Sequence, residues 1–379
     1  MTRIYLDHAA TTPMAKDVLN VFMNEMNSDY GNASSIHHTG RSARKKLDEA
    51  RTLLANSIHA HENEITITSG GTEADNYAIF GTAYARKHEG KHIITTTIEH
   101  HAVLHACEQL EREGFDVTYL PVNADGLIDI NDLKKSLRED TILVSVMYGN
   151  NEVGSIQPIG QIGELLQDHT AYFHTDAVQA YGVVPINVND LHVDLLSVSS
   201  HKINGPKGIG FLYQRKGLLL KPLFYGGQQE RKKRAGTENV PAVVAFAKAV
   251  ELKQLHLEET ISQYKKWKHV FTEQLQKGGV QFKVNGPKDN VLPHVLNLSI
   301  PQTDVETFLV QLDLAGIDAS SGSACTAGSI DPSHVLVAMY GEKSPELRNS
   351  VRFSFGLNNT EQQVIDAAQK ISKIIPKAK

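Results

Sequence analysis

The sequence of 379 residues has few of the features that define several large classes of protein. It contains only two cysteines, Cys107 and Cys325, and their contexts differ, so a disulfide framework is not indicated. The net charge of −5 lacks the basic excess that marks a nucleic-acid surface. No apolar run approaches the ~18 residues that suggest a membrane span, and the residues after Met1 resemble neither a signal peptide nor a transit peptide. These absences predict a cytoplasmic protein that binds neither membrane nor nucleic acid.

Short β-rich segments alternate with helical patterns through the first two thirds of the chain, which predicts a mostly parallel sheet covered by helices. From about Pro241 to Lys277 the pattern is that of a long helix, which Gly278-Gly279 ends, and an α+β portion follows. A chain of this length usually divides into two domains. We predict a large domain at 15–255 and a small domain built from 1–14 and 256–379.

A lysine follows the apolar strand that ends at Ser199, in the segment Ser199-Ser200-His201-Lys202, and glycines come soon after it. An amine in such a place, near a phosphate site, can capture an aldehyde as a Schiff base. An ordinary solvated lysine on a surface turn is the competing interpretation, and this fragment alone favours it.

Two earlier segments carry related chemistry. Asp176 follows another apolar strand, where a carboxylate can keep a pyridinium nitrogen protonated. A helix N-cap is a very common role for aspartate, so this residue alone decides little. Ser69-Gly70-Gly71-Thr72 lies between a strand and a helix, where free N–H groups can bind a phosphate. A weak capping box is the alternative, but the glycine pair favours phosphate.

Nine short motifs occur in order along nearly the whole chain: 5–12 (YLDHAATT), 31–35 (GNASS), 71–73 (GTE), 99–100 (EH), 151–154 (NEVG), 176–179 (DAVQ), 201–202 (HK), 234–237 (RAGT) and 321–325 (SGSAC). Together they resemble the NifS/IscS cysteine desulfurases, a class-V aminotransferase family of fold-type-I enzymes that use pyridoxal 5′-phosphate. The resemblance implies an α/β fold, with a mostly parallel seven-stranded sheet in the large domain and a smaller α+β domain.

The resemblance also implies a role for each residue at a motif position. Lys202 would carry the cofactor, His100 would stack on its ring, Asp176 would pair with the ring nitrogen, Gln179 would contact the phenolic oxygen, and Gly71, Thr72, Ser199 and His201 would hold the phosphate. Thr237 would reach the phosphate of a partner subunit in a homodimer. Asn151, which also borders the cofactor, would bind the substrate carboxylate with Arg352 and Asn32, since a planar guanidinium suits a carboxylate.

Cys325 lies in a segment that is small and polar throughout, from Ser321 to Ser329, and such a segment is expected to be mobile. A mobile thiolate could visit the cofactor, take sulfur and carry it outwards. An inert loop cysteine is the alternative reading of the residues alone, and the resemblance favours the nucleophile.

The resemblance therefore predicts conversion of L-cysteine to L-alanine, with a persulfide on Cys325 and His100 as a proton shuttle. The sulfur would pass to an acceptor protein, either an iron–sulfur scaffold or a tRNA thiouridylase. Thr326-Ala327-Gly328 departs from relatives that carry a serine after the threonine, which leaves the acceptor open. Rival interpretations are an aminotransferase, a selenocysteine lyase or a non-catalytic scaffold.

Two other features are not assigned to a functional site. Cys107 lies on a helical segment with apolar neighbours and is predicted to pack as a small buried side chain. His101 and His105 have the i, i+4 spacing of metal ligands, but no acidic third ligand is evident and no metal is expected.

Overall fold

The computed structural model describes residues 3–28, 30–301, 303–321 and 332–375. The strands are β1 Ile4–Tyr5, β2 Ile65–Thr68, β3 His92–Thr96, β4 Asp116–Leu120, β5 Thr141–Ser145, β6 Tyr172–Asp176, β7 Leu195–Ser199, β8 Gly210–Gln214, β9 Lys283–Asn285, β10 Val295–Ser299, β11 Ile317–Asp318 and β12 Ser350–Ser354. The α-helices are α1 Lys16–Ser28, α2 His38–Asn56, α3 Gly71–Arg86, α4 His101–Arg112, α5 Ile130–Ser136, α6 Ile159–Leu166, α7 Val240–Leu255, α8 Leu257–Lys277, α9 Val305–Leu314, α10 His334–Tyr340, α11 Glu346–Asn349 and α12 Glu361–Ile374.

Seven strands form the central sheet in the order β2-β8-β7-β6-β5-β3-β4. The pairs from β7 to β4 are parallel, whereas β8 is antiparallel to both of its neighbours. Every residue of β3, β5, β7 and β8 is buried, as expected of strands covered by helices on both faces. The sheet confirms the predicted mostly parallel α/β fold.

Strand β4, at the edge of this sheet, was not among the sequence predictions. Its sequence, Asp-Val-Thr-Tyr-Leu, begins exposed and is only half-buried along most of its length, so it lacks the apolar run that marks the inner strands.

The long helical pattern from Pro241 to Lys277 is two helices, α7 and α8. The chain leaves helical geometry at His256, which has φ −117° and ψ 20°. No proline or glycine marks this break, so hydropathy alone merged the two helices. Gly278 ends α8, as predicted.

Two smaller sheets lie outside the central one. Strands β9, β10 and β12 form an antiparallel sheet, and β1 pairs in parallel with β11, with Ile4 opposite Ile317. The N-terminal strand therefore joins residues of the last third of the chain. The division into domains at residue 255 stays a prediction. Among the helices described, none is long and apolar enough to cross a membrane.

Candidate functional site

The carboxyl ends of β2, β3, β5, β6 and β7 meet at one edge of the central sheet. Ligands of such sheets bind beyond this edge. The predicted site residues follow these strands closely, so the strand register brings together positions that lie more than a hundred residues apart in sequence.

Lys202 ends a short 3₁₀ turn, Ser200–Lys202, that directly follows β7. Its Nζ donates hydrogen bonds to the carbonyl oxygens of Ala9 and Ala10, the latter at 2.8 Å. Burial lowers the pKa of Lys202 to about 8, and the charge of Arg352 acts in the same direction. A larger neutral fraction than that of an ordinary lysine makes this amine a competent nucleophile and base.

Asp176 ends β6 and is 5 % exposed, and its Oδ1 accepts a hydrogen bond of 2.8 Å from the Val178 amide. Burial raises the pKa of Asp176 to about 6, while the Val178 N–H and the charge of Lys202 oppose that rise. At neutral pH the carboxylate is ionised, so it can pair with a buried cationic nitrogen.

Two glycines stand at the start of α3. Gly70 has φ 151°, which side chains rarely adopt, and Gly71 lets the helix start close to the residues after β6, since a Cβ there would lie 2.8 Å from Val178 Cγ2. No side chain among the described residues caps this sixteen-residue helix, so its first N–H groups are available to an anion. The hydroxyl of Ser199 lies 3.7 Å from where a Gly70 Cβ would be. This cradle fits a phosphate group.

His201 borders this cradle. Its Nδ1 lies 3.1 Å from the Thr11 hydroxyl, which leaves Nε2 available to an anion. Burial lowers the pKa of His201 to about 4, with further lowering by Lys202 and Lys207.

His100 caps the N-terminus of α4, where its Nδ1 accepts a hydrogen bond of 3.1 Å from the Ala102 amide. A neutral imidazole that accepts at Nδ1 carries its hydrogen on Nε2. Surrounding protein atoms and the charge of Lys202 both hold the pKa of His100 below its usual range. The ring is thus a neutral group that can donate a proton from Nε2 and then take it back.

Arg352 lies on β12 and is 4 % exposed. Its guanidinium donates to the Asn151 carbonyl at 2.9 Å and to Asp7 Oδ1 at 2.8 Å. Its Nε has no partner among the described residues. The positive charge of Arg352 also lowers the pKa of Lys202. Asp7 belongs to motif 5–12, which signalled the segment without assigning it a role.

Gln179 connects the N-terminal segment with the site. Its Nε2 donates to the Ala9 carbonyl at 2.9 Å, and that same oxygen accepts from Lys202 Nζ. Its Oε1 lies 3.3 Å from His294 Nε2. Neither Ala9 nor His294 was predicted to take part.

Three predicted residues are not placed in this cluster. The hydrogen bonds described for Asn32 lie within its own loop, to Ser34 and Ser35. Thr237 is exposed on a loop. Cys325 lies outside the described residues.

The loop that leads to Thr237 begins with three consecutive non-glycine residues of positive φ, Glu230, Arg231 and Lys232, at 46°, 56° and 68°. The Glu230 carboxylate accepts two hydrogen bonds from buried Arg51, at 2.6 and 2.7 Å, and one from the Ile67 amide. This ion pair holds the loop against α2 and β2.

The loop is held a second time at its end. Arg234 pairs with Glu73 on α3 at 2.9 Å, and Glu73 in turn accepts from the Ser69 amide. The loop before Thr237 is therefore connected to the phosphate cradle.

A buried acid that the sequence analysis missed lies beneath Asp176. Asp75 on α3 is 1 % exposed, and its Oδ1 lies 3.6 Å from His174 Nε2. Burial raises the pKa of Asp75 well above its usual range, and the charge of Asp176 raises it further. Of these two acids, Asp176 is therefore the one that more readily carries the negative charge. Asp75 lies inside α3, two residues after Glu73, and nothing in the local sequence predicted that its charge would act on Asp176.

Cys107 is fully buried in an apolar cluster, as predicted, and burial raises the pKa of its thiol. The rings of His101 and His105 stack at 4.9 Å, and His334 lies 4.7 Å from His101. Even so, no three His, Cys, Asp or Glu side chains of the described ranges are arranged to hold a metal ion.

Comparison with known proteins agrees with this geometry. The family model described as aminotransferase class-V matches residues 4–366. The chain is 58 % identical over 99 % of both chains to the putative cysteine desulfurase IscS 1 of Bacillus subtilis. It is 46 % identical to the cysteine desulfurase IscS of Dictyoglomus turgidum, over 99 % of this chain and 95 % of the relative.

Solved structures are similar as well. A NifS-like protein superposes with a TM-score of 0.92 at 35 % identity, covering 98 % of this chain and 99 % of the other. A structure described as SspA in complex with cysteine superposes with a TM-score of 0.83 at 37 % identity, covering 93 % and 99 %.

Proposed function

The chain belongs to the aminotransferase class-V family and is a pyridoxal-phosphate-dependent cysteine desulfurase, and from this premise we propose that it forms a persulfide on Cys325 and passes the sulfur to a separate acceptor protein. The observation that carries the proposal is the convergence of Lys202, Asp176 and the α3 cradle at one sheet edge.

These residues fit pyridoxal phosphate. The α3 N-terminus, with Gly71, Thr72 and Ser199, would hold the phosphate, and Asp176 would pair with the ring nitrogen. When bound, pyridoxal phosphate supplies an electron sink that draws electrons from Cα of the amino acid and makes the cysteine sulfur open to attack.

Lys202 would hold the cofactor in the resting enzyme and, once free, would move a proton at Cα. The lowered pKa of this amine suits both tasks, because the group can take a proton and return it near neutral pH. Asp176 would keep the ring nitrogen protonated, because it carries the negative charge more readily than Asp75 does.

His100 would stack on the cofactor ring and act as a proton shuttle. The Nδ1 hydrogen bond from Ala102 fixes the ring and places the hydrogen on Nε2, the atom that would give up a proton and take it back.

Arg352 would bind the substrate carboxylate together with Asn151. Asp7 and the Asn151 carbonyl already fix the plane of its guanidinium, so little side-chain freedom would be lost on binding. Motif 31–35 also assigns Asn32 to this carboxylate, and we retain it as part of the proposal.

Cys325 would attack the sulfur of the bound substrate as a thiolate. A sulfur–sulfur bond forms, the bond between Cβ and sulfur breaks, and its electron pair returns towards the substrate, which a proton then converts to alanine. Cys325 is left as the persulfide. The support for this assignment is motif 321–325, and Cys325 itself lies outside the described residues.

We also propose a homodimer in which Thr237 completes the phosphate site of the partner. Thr237 is exposed, and its neighbourhood in sequence presents exposed apolar side chains, Leu219 at 72 % and Tyr225 at 83 %. Such side chains are candidates for burial against a second copy.

The acceptor would be an iron–sulfur scaffold or a tRNA thiouridylase of the same cytoplasm. The relatives named IscS support a role in iron–sulfur assembly. Capture of the persulfidated enzyme's partners from its own cytoplasm, followed by transfer of labelled sulfur to each purified partner, would distinguish the two.

The central test compares two cysteine variants. Cys325→Ser should lose alanine and sulfide production while it keeps the visible spectrum of the bound cofactor, because a hydroxyl is almost wholly protonated at neutral pH. Cys107→Ser is the matched control and should retain the chemistry. Mass spectrometry after brief exposure to cysteine should locate one added sulfur on the Cys325 peptide. Desulfuration by Cys325→Ser, or added sulfur on Cys107, would overturn the mechanism.

A further inference from the structure

His294 is a buried histidine that belongs to none of the nine motifs. It follows Pro293, directly before β10, and is 7 % exposed. Its Nε2 lies 3.3 Å from Oε1 of Gln179, the residue proposed to contact the phenolic oxygen of the cofactor. A side chain that directly precedes the small antiparallel sheet thus contacts a residue at the edge of the central sheet.

The hydrogen bonds of Gln179 determine which atom of His294 carries the hydrogen. Gln179 Nε2 donates to the Ala9 carbonyl at 2.9 Å, so the amide must present its oxygen to His294. The histidine is then the donor, and its hydrogen is on Nε2. His294 Nδ1 is left with a lone pair, and no partner for it is found among the described residues.

The surroundings of His294 keep the ring neutral. Three lysines near His294 bring positive charge, Lys268 on α8, Lys253 on α7 and Lys202, and His8 acts in the same direction. Burial lowers the pKa of His294 well below its usual range, and these four groups lower it further. The ring therefore stays a single-donor group across the physiological pH range.

We propose that His294 is a positioning residue, which holds the Gln179 amide with its nitrogen towards Ala9 and the cofactor by donating from Nε2 to Oε1. This inference rests on the proposed function, because it deepens the role given there to Gln179. One N–H of the amide is used by Ala9, whose carbonyl also accepts from Lys202, and the second N–H remains for the phenolic oxygen.

Loss of the His294 donor would leave Oε1 of the Gln179 amide buried without a partner, and only the hydrogen bond to Ala9 would then fix the amide. The amide would be free to turn away from the position in which its second N–H reaches the phenolic oxygen. A buried polar group left without its partner costs more than the net value of the bond it made.

The test compares three variants of the loaded enzyme without substrate. His294→Leu keeps the bulk and removes the donor, whereas His294→Gln keeps an N–H at a similar reach. Gln179→Leu removes the group that His294 is proposed to orient. The readout is the pH midpoint of the visible absorbance of the bound cofactor, which a merely structural role would not move.

His294→Leu should raise this midpoint by about half a unit or more, because a phenolic oxygen that no longer shares the amide hydrogen holds the neighbouring proton more tightly. His294→Gln should return it to the wild-type value, and Gln179→Leu should shift it in the same direction as His294→Leu. If the leucine variant does not fold, His294→Phe supplies the same loss.

A His294→Leu midpoint equal to wild type, with Gln179→Leu shifted, would overturn the positioning role and leave the proposed function intact. Wild-type midpoints in both would overturn the role together with the Gln179 assignment. Neither result bears on Cys325, whose own test decides the desulfurase mechanism.

Discussion

The residues of the site come from two sources that differ in how they are held. Asp176 and Ser199 end strands of the central sheet and Lys202 ends the short turn after β7, so the backbone of the sheet sets their spacing. Arg352 and His294 come instead from the small antiparallel sheet and its approach, and reach the site through side-chain contacts with Asp7, Asn151 and Gln179. The first group should tolerate changes around it and fail only when its own chemistry changes. The second should be sensitive to the partners that place it.

The largest effect is expected at Asp176, the strand-end residue with the most specific charge requirement. Asp176→Asn should leave the fold intact but lower kcat by about three powers of ten, since a neutral amide cannot hold the ring proton and each decade is ~1.36 kcal/mol of barrier. Steady-state alanine production beside far-ultraviolet circular dichroism would measure both. Near-normal turnover would show that catalysis does not need the negative charge of Asp176.

Glu230→Gln tests how strongly the protein depends on a side-chain contact between segments that are distant in sequence. It leaves the Arg51 guanidinium buried without a counter-charge, which should cost about 3–5 kcal/mol of unfolding free energy. Urea denaturation would measure the loss. Glu49→Gln, which breaks the exposed pair with Lys45, is the control and should change stability by less than ~1 kcal/mol. Equal effects of the two substitutions would contradict the anchoring role of the buried pair.

Arg352→Lys keeps the charge but loses the planar fork that contacts Asp7 and the Asn151 carbonyl. We expect kcat/KM for cysteine to fall about 10- to 100-fold, mainly through KM, with the cofactor spectrum unchanged. Arg138→Lys on the exposed surface is the control. An unchanged KM would separate Arg352 from substrate binding.

The smallest effect concerns pH. Because burial holds the pKa of Lys202 at about 8, its neutral fraction should rise about tenfold between pH 7 and 9 and then level off. An ordinary lysine, near 10.4, would rise about a hundredfold over that interval without a plateau. The rate at which cofactor-free protein takes up pyridoxal phosphate on the Lys202 peptide, trapped by borohydride, distinguishes these curves.

The two sources also explain what could be predicted. Alternating apolar segments identified the inner strands, and the polar residues that follow them, such as Asp176 and Lys202, could be assigned from sequence because strand ends converge. His294 and Asp75 could not, since their roles depend on contacts across more than a hundred residues or through a helix body. The break at His256 was missed for a different reason. No proline or glycine marks it, and the helices on either side both bury apolar residues.

The loop that begins at Glu230 has a consequence for the order in which the protein assembles. Three successive left-handed residues each cost roughly 1–2 kcal/mol, so the segment has no tendency to adopt this shape by itself. The compensating contacts come from Arg51 and Ile67, which are in place only after α2 has docked beside β2. In the proposed homodimer, a subunit would therefore present Thr237 to its partner only once its own core is complete, and dimerisation would select against incompletely folded chains.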